Sequence, residues 1–144
     1  SAKDYFESGN GVVTLCGSTK YFQECMECNR ILTFSNWIVL MCGSWGHSYH
    51  KDATSLDRSF EQIKQLHFHK IVESEAIVVV SDSSGYIGDS TKEELSFALF
   101  LGMPVFYYDG SKLTGSTSVD SVPDRFARHS HAITDWREVY VPTN

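Results

Sequence analysis

Apolar and polar residues fall in blocks along this chain. Val12 to Cys16, Trp37 to Met41, Ala76 to Val80 and Val105 to Tyr108 are four- or five-residue runs, mostly β-branched or aromatic. Such runs are too short for helices and predict strands buried within a sheet. Between them the period changes. Phe22, Cys25, Met26, Asn29 and Leu32 recur at helical spacing and predict a helix from Tyr21 to about Phe34. Phe60, Ile63, Leu66, Lys70 and Ile71 mark the core face of a second, from Leu56 to Ser74. A third starts near Ser90, continues through Leu95, Ala98, Leu99 and Leu101, and stops at Gly102 with Pro104 just beyond. Ser90-Thr91 precedes Glu93 and Glu94 at the spacing of a capping box.

The remaining stretches read as connections. Residues 1–10 are a polar lead-in, and residues 42–55 form a long Gly, Ser and His loop. Asp109 to Ser121 reads as a loop, Pro123 to His129 as a short helix, and Val139 to Val141 as a last strand or a docked tail. Strands alternating with helices predict a parallel sheet of four to five strands with helices on both faces. The expected architecture is one flavodoxin-like or Rossmann-like α/β domain over residues 1–144, with no internal repeat or linker.

Composition narrows the partners. The 144 residues are 42% hydrophobic and 21% charged, the balance of an ordinary globular domain with a sizeable core. Twelve basic against eighteen acidic side chains give a net charge of −6, so neither a nucleic-acid footprint nor a polybasic membrane stripe is present. With no apolar run near a bilayer span and no signal-peptide pattern in SAKDYFESGN, a cytoplasmic protein is expected. The four cysteines, Cys16, Cys25, Cys28 and Cys42, then read as reduced thiols. A zinc site on Cys25-x-x-Cys28 would need a second ligand pair, and His47/His50, His67/His69 and His129/His131 lack a cysteine partner at ribbon spacing. Packing on a helix face is the simpler account, and no metal is expected.

Two loops carry candidate chemistry. Gly17-Ser18-Thr19-Lys20 follows the first strand and opens the first helix, where glycine, hydroxyls, backbone amides and a lysine can hold an anion. It has neither Walker A nor G-x-G-x-x-G spacing, and helix capping by Ser18 or Thr19 is the plain alternative. The second loop follows the central strand: Asp82 in the turn Ser81 to Gly85, then Tyr86-Ile87-Gly88-Asp89-Ser90-Thr91. Both lie at the same sheet edge, so a phosphate or sugar between them is the natural hypothesis. Glu94 shares the side of Ala98 and Leu101 that meets the sheet, while Glu93 sits with Phe97 and Phe100. The helix dipole keeps a carboxylate there ionised, which suits a nucleophile. Tyr21, Trp45 and Tyr86 could stack on a flat base or serve as packing.

Cys16-Gly17-Ser18-Thr19-Lys20, Leu66-His67-Phe68-His69-Lys70-Ile71, and Gly85-Tyr86-Ile87-Gly88-Asp89-Ser90-Thr91-x-x-Glu94 followed by Ala98 occur here in order over residues 12–108. This combination resembles the nucleoside 2-deoxyribosyltransferase-like superfamily, which includes the deoxynucleoside 5′-monophosphate N-glycosidases. The resemblance implies cleavage of an N-glycosidic bond with Glu94 as nucleophile and no cofactor. Ser18 and Lys20 match positions on the 5′-phosphate in the monophosphate-cleaving branch, and Gly88 and Ser90 fall in the second phosphate or sugar loop. The characterised enzymes carry an aspartate where this chain has His67, which can instead protonate a leaving base. A homodimer is also implied. The expected function is hydrolysis of a (deoxy)nucleoside 5′-monophosphate, with base exchange between nucleosides, or nucleotide binding without turnover, as the alternatives. The expected contacts are Glu94 and His67 in catalysis, and Gly17, Ser18, Thr19, Lys20, Tyr21, Asp82, Gly85, Tyr86, Gly88 and Ser90 on the substrate.

Overall fold

The computed structural model describes the backbone of residues 1–42 and 54–116 and the side chains of 1–42 and 62–115. Five strands form one sheet: β1 (Gly11–Gly17), β2 (Trp37–Leu40), β3 (Ala76–Val80), β4 (Val105–Tyr108) and β5 (Leu113–Ser116). Their order is β2-β1-β3-β4-β5; all neighbours pair in parallel except β4 and β5. Four helices complete the α/β fold: α1 (Ala2–Ser8), α2 (Phe22–Phe34), α3 (Thr54–Val72) and α4 (Asp89–Leu101). The His47/His50 loop with Trp45, the segment 123–129 and the segment 139–141 lie outside the described residues.

Period-two alternation along the central strands sorts the core into two layers. Val13 and Leu15 of β1, with Val78 and Val80 of β3, join Cys25, Cys28 and Leu32 of α2 on one face. Cys16, Ile77 and Val79 point the other way, to Phe68 and Ile71 of α3 and Leu95, Phe97 and Ala98 of α4. The sheet therefore carries helices on both faces. Thr14, on the α3 side, is buried but satisfied: its hydroxyl bonds the Lys70 carbonyl at 3.1 Å and the Ser74 hydroxyl at 2.6 Å. No helix among the described residues is long and apolar enough to cross a membrane.

Several expectations are corrected. The polar lead-in is helical: the Ser1 hydroxyl caps α1 by accepting from the Asp4 amide at 3.2 Å. Phe6 then packs against Trp37 and Phe106, and the Trp37 indole donates to the Phe6 carbonyl at 2.9 Å. Seven residues are too few to show a period, and a tertiary aromatic cluster holds this helix. Residues 113–116, assigned to a loop, pair as β5 after a turn in which Asp109 accepts from the amides of Ser111 and Lys112 at 3.0 and 2.9 Å. Asp109-Gly110, with Gly110 at φ +88°, was the hairpin signal. Among the described residues β2 is an edge strand, and it leaves Ile38 exposed, so it is not buried on both faces. On α3 the face toward the sheet is His67, Phe68 and Ile71, whereas Leu66 is exposed. Leu101 of α4, expected on the sheet side, is also exposed.

Candidate active site

The loop after β1 is shaped by its strand. A Cβ on Gly17 would stand 3.0 Å from the Val80 carbonyl and 3.3 Å from the Val80 Cβ, so close packing of β1 on β3 explains this glycine. Ser18 then caps the short 3-10 turn Thr19–Tyr21, its hydroxyl accepting from the Lys20 amide at 3.4 Å. Tyr21 is buried, and its hydroxyl has no hydrogen-bond partner among the described residues. Lys20 stays exposed and reaches across to the second loop. Its Nζ lies 4.0 Å from the Tyr86 ring centre and 5.1 Å from that of Tyr21.

The loop after β3 is held by its own polar groups. Asp82 accepts from the amide and hydroxyl of Ser84, and the Gly85 amide returns to the Asp82 carbonyl at 3.0 Å. Hydrogen bonding from the Ser84 side chain outweighs a smaller burial effect and, with the Lys20 charge, holds the Asp82 carboxyl below its usual range. Gly85 takes φ +75°, which closes the turn and favours glycine. The Ser81 hydroxyl donates to the Tyr86 carbonyl and ties the loop back to β3.

The capping box does not form. Gly88 is the N-cap of α4, without a side-chain cap, so Ser90 and Thr91 lie inside the first turn and the two glutamates fall one turn later. A Cβ on Gly88 would meet nothing, and Ser90 beside it is exposed. Uncapped amides, open space at Gly88 and the Lys20 ammonium thus lie at the same edge of the sheet. That is an arrangement suited to an anion.

Both glutamates are buried, and each meets α3. Glu93 pairs with Lys64 at 3.2 Å. The Glu94 Oε2 and the His67 Nε2 are 2.8 Å apart, with both side chains about nine-tenths buried. The contact is a close approach and not an in-line hydrogen bond: among the described residues neither ring nitrogen of His67 has a partner in acceptable geometry. Cys16, at the end of β1 and missed as a site residue, completes the group: one ligand atom from each of Cys16, His67 and Glu94 lies within 4.8 Å of the others. Burial first, then the Glu94 charge, push the Cys16 thiol well above its usual range. The alternation of β1 was the signal that could have placed Cys16 on the α4 side.

The expected site residues thus fall in two groups. Glu94 and His67 meet between α4 and α3, whereas Gly17, Ser18, Thr19, Lys20 and Tyr21 run from the end of β1 to the start of α2, and Asp82, Gly85, Tyr86, Gly88 and Ser90 from the end of β3 into the first turn of α4. Asp82 and Gly17 have structural duties that account for them without a ligand. No family model, curated protein or solved structure matches this chain.

Proposed function

We propose that this protein hydrolyses the N-glycosidic bond of a (deoxy)nucleoside 5′-monophosphate. The observation that carries the reading is the approach of Glu94 to His67 within 2.8 Å, two residues brought together from separate helices. A carboxylate beside an imidazole, in a chain with two loops suited to a phosphate, is a nucleophile with an acid–base partner. The resemblance of the motifs around them to nucleoside 2-deoxyribosyltransferase-like enzymes points the same way.

In this mechanism Glu94 attacks C1′ as the C1′–N bond breaks, and protonated His67 gives its proton to the departing base. A glycosyl ester on Glu94 results. Neutral His67 then takes a proton from water, which attacks C1′ and frees Glu94. Lys20 and the amides at the start of α4 hold the 5′-phosphate, and Tyr86 lies against the sugar or base. A second copy of the chain is proposed as partner, on the resemblance alone.

The test is release of free base from a panel of ribo- and deoxynucleoside 5′-monophosphates and parent nucleosides, separated chromatographically. Release by the parent protein and not by Glu94→Gln supports the reading and names the substrate. Exchange of bases without net release would favour the transferase. Thermal stabilisation by a nucleotide that is never cleaved would favour a binding protein, the reading that His67 in place of an aspartate suggests.

A further inference from the structure

Three metal-binding side chains from three elements converge beneath the second turn of α4. Cys16 comes from β1, His67 from α3 and Glu94 from α4, and their ligand atoms lie within 4.8 Å of one another. All three residues are buried. Thiolate, imidazole and carboxylate together are a donor set that suits zinc, and three protein ligands are the complement of an open, four-coordinate site.

Two further observations separate this set from incidental neighbours. His67 is about nine-tenths buried, yet among the described residues neither Nδ1 nor Nε2 has an in-line hydrogen bond. Its one charged neighbour among the described residues, Glu94 at 2.8 Å, is not in line with a ring N–H, and a cation at the centre of the group would engage both the imidazole lone pair and that carboxylate. The charges also balance: one thiolate and one carboxylate neutralise a divalent ion where an unbalanced charge would be expensive. Donor atoms in a tetrahedral zinc site stand roughly 3.3–3.6 Å apart, given bonds of about 2.0–2.3 Å. All three ligand atoms lie within 4.8 Å of one another, and the 2.8 Å His67–Glu94 separation would open by about 0.5 Å to reach that spacing.

We infer that Cys16 Sγ, an imidazole nitrogen of His67 and the Glu94 carboxylate bind zinc(II), with the fourth position left to water or an anion. On binding, the Cys16 S–H bond breaks as the S–Zn bond forms, and the proton passes to solvent. Cys25 and Cys28 pack in the core on the opposite face of the sheet and take no part. Zinc would occupy the electron pairs that Glu94 and His67 need for glycoside cleavage, so metal and turnover exclude each other. That consequence rests on the glycosidase reading; the metal site does not.

The experiment titrates chelator-treated protein with zinc and with cobalt(II), and records X-ray absorption of the zinc form. One metal per chain is expected, with a thiolate-to-cobalt charge-transfer band and a zinc shell of one sulfur and otherwise nitrogen and oxygen. Cys16→Ser should abolish the band and weaken zinc binding at least about tenfold. A shell without sulfur, a shell with two sulfurs, or unchanged affinity in folded Cys16→Ser overturns the proposal. The absorption measurement uses the parent protein, so it decides even where a variant unfolds. Base release assayed beside it separates the two readings. Inhibition by zinc that a chelator reverses supports both, whereas zinc binding in a protein that cleaves no nucleotide leaves the site standing and removes the glycosidase.

Discussion

The Glu94 carboxylate and the His67 imidazole stand 2.8 Å apart between α4 and α3, buried and without an in-line hydrogen bond. Neighbouring Glu93, which faces Lys64 at 3.2 Å, is an ion pair across the same two helices. Two adjacent carboxylates therefore have different tasks. One ties the helices together, and the other faces a buried imidazole.

On the proposed glycosidase reading, Glu94→Gln should lower base release at least about a thousandfold with the fold retained. Glu93→Gln should cost stability and leave turnover nearly intact. His67→Gln should cost about 10²- to 10⁴-fold, and least for substrates whose base leaves without protonation. Rates on a series of bases of graded basicity, with melting curves for each variant, test this. Equal losses across the series would remove His67 as the proton donor.

Lys20 is exposed, and its ammonium lies over the Tyr86 ring at 4.0 Å. Lys20→Met should change stability by no more than about 0.5 kcal/mol. If Lys20 holds the phosphate, kcat/KM for a monophosphate should fall by roughly 10- to 100-fold while that for the parent nucleoside stays put, since a charge-assisted hydrogen bond contributes about 1.5–3 kcal/mol. An unchanged ratio between the two substrates would place the phosphate elsewhere.

Gly17 and Gly88 look alike as loop glycines in the sequence, but their surroundings differ. At Gly17 a methyl group would press on the Val80 carbonyl at 3.0 Å, and at Gly88 it would meet nothing. Gly17→Ala should destabilise by about 1–3 kcal/mol, the range for overpacking. Gly88→Ala should be neutral in urea unfolding yet weaken nucleotide binding if that open surface receives the ligand. Equal stability losses in the two variants would contradict the packing account.

Burial pushes the Cys25 thiol from 9.0 up to about 12 and raises Cys28 as well. The native state thus keeps protons that the unfolded chain gives up. Their stabilising effect is complete below about pH 9, the unfolded value, and is lost as pH climbs toward the folded values. The slope should reach about 1.4 kcal/mol per pH unit for each such thiol. Urea midpoints between neutral and alkaline pH should therefore fall, and fall less steeply in Cys25→Ala. Both thiols should resist a thiol reagent until the protein unfolds.

Much of the architecture follows from residue order alone. Short β-branched runs such as Ala76 to Val80 can bury their backbone polar groups only in a sheet, and the helical periods between them force parallel pairing. The stop at Gly102 was equally local, because a left-handed residue (φ +71°) ends a helix wherever it stands. Local rules missed α1 and β5, since neither has enough apolar residues to show a period. An aromatic cluster with Trp37 and Phe106 holds the first, and the edge of β4 holds the second. The sequence also placed the two loops and Glu94 at one end of the sheet. Which carboxylate meets His67, and that Cys16 joins them, only the packing of α3 and α4 on the same face of β1 decided. Side-chain distances of a few ångströms depend on how two helices rotate against a sheet, and no residue spacing encodes that rotation.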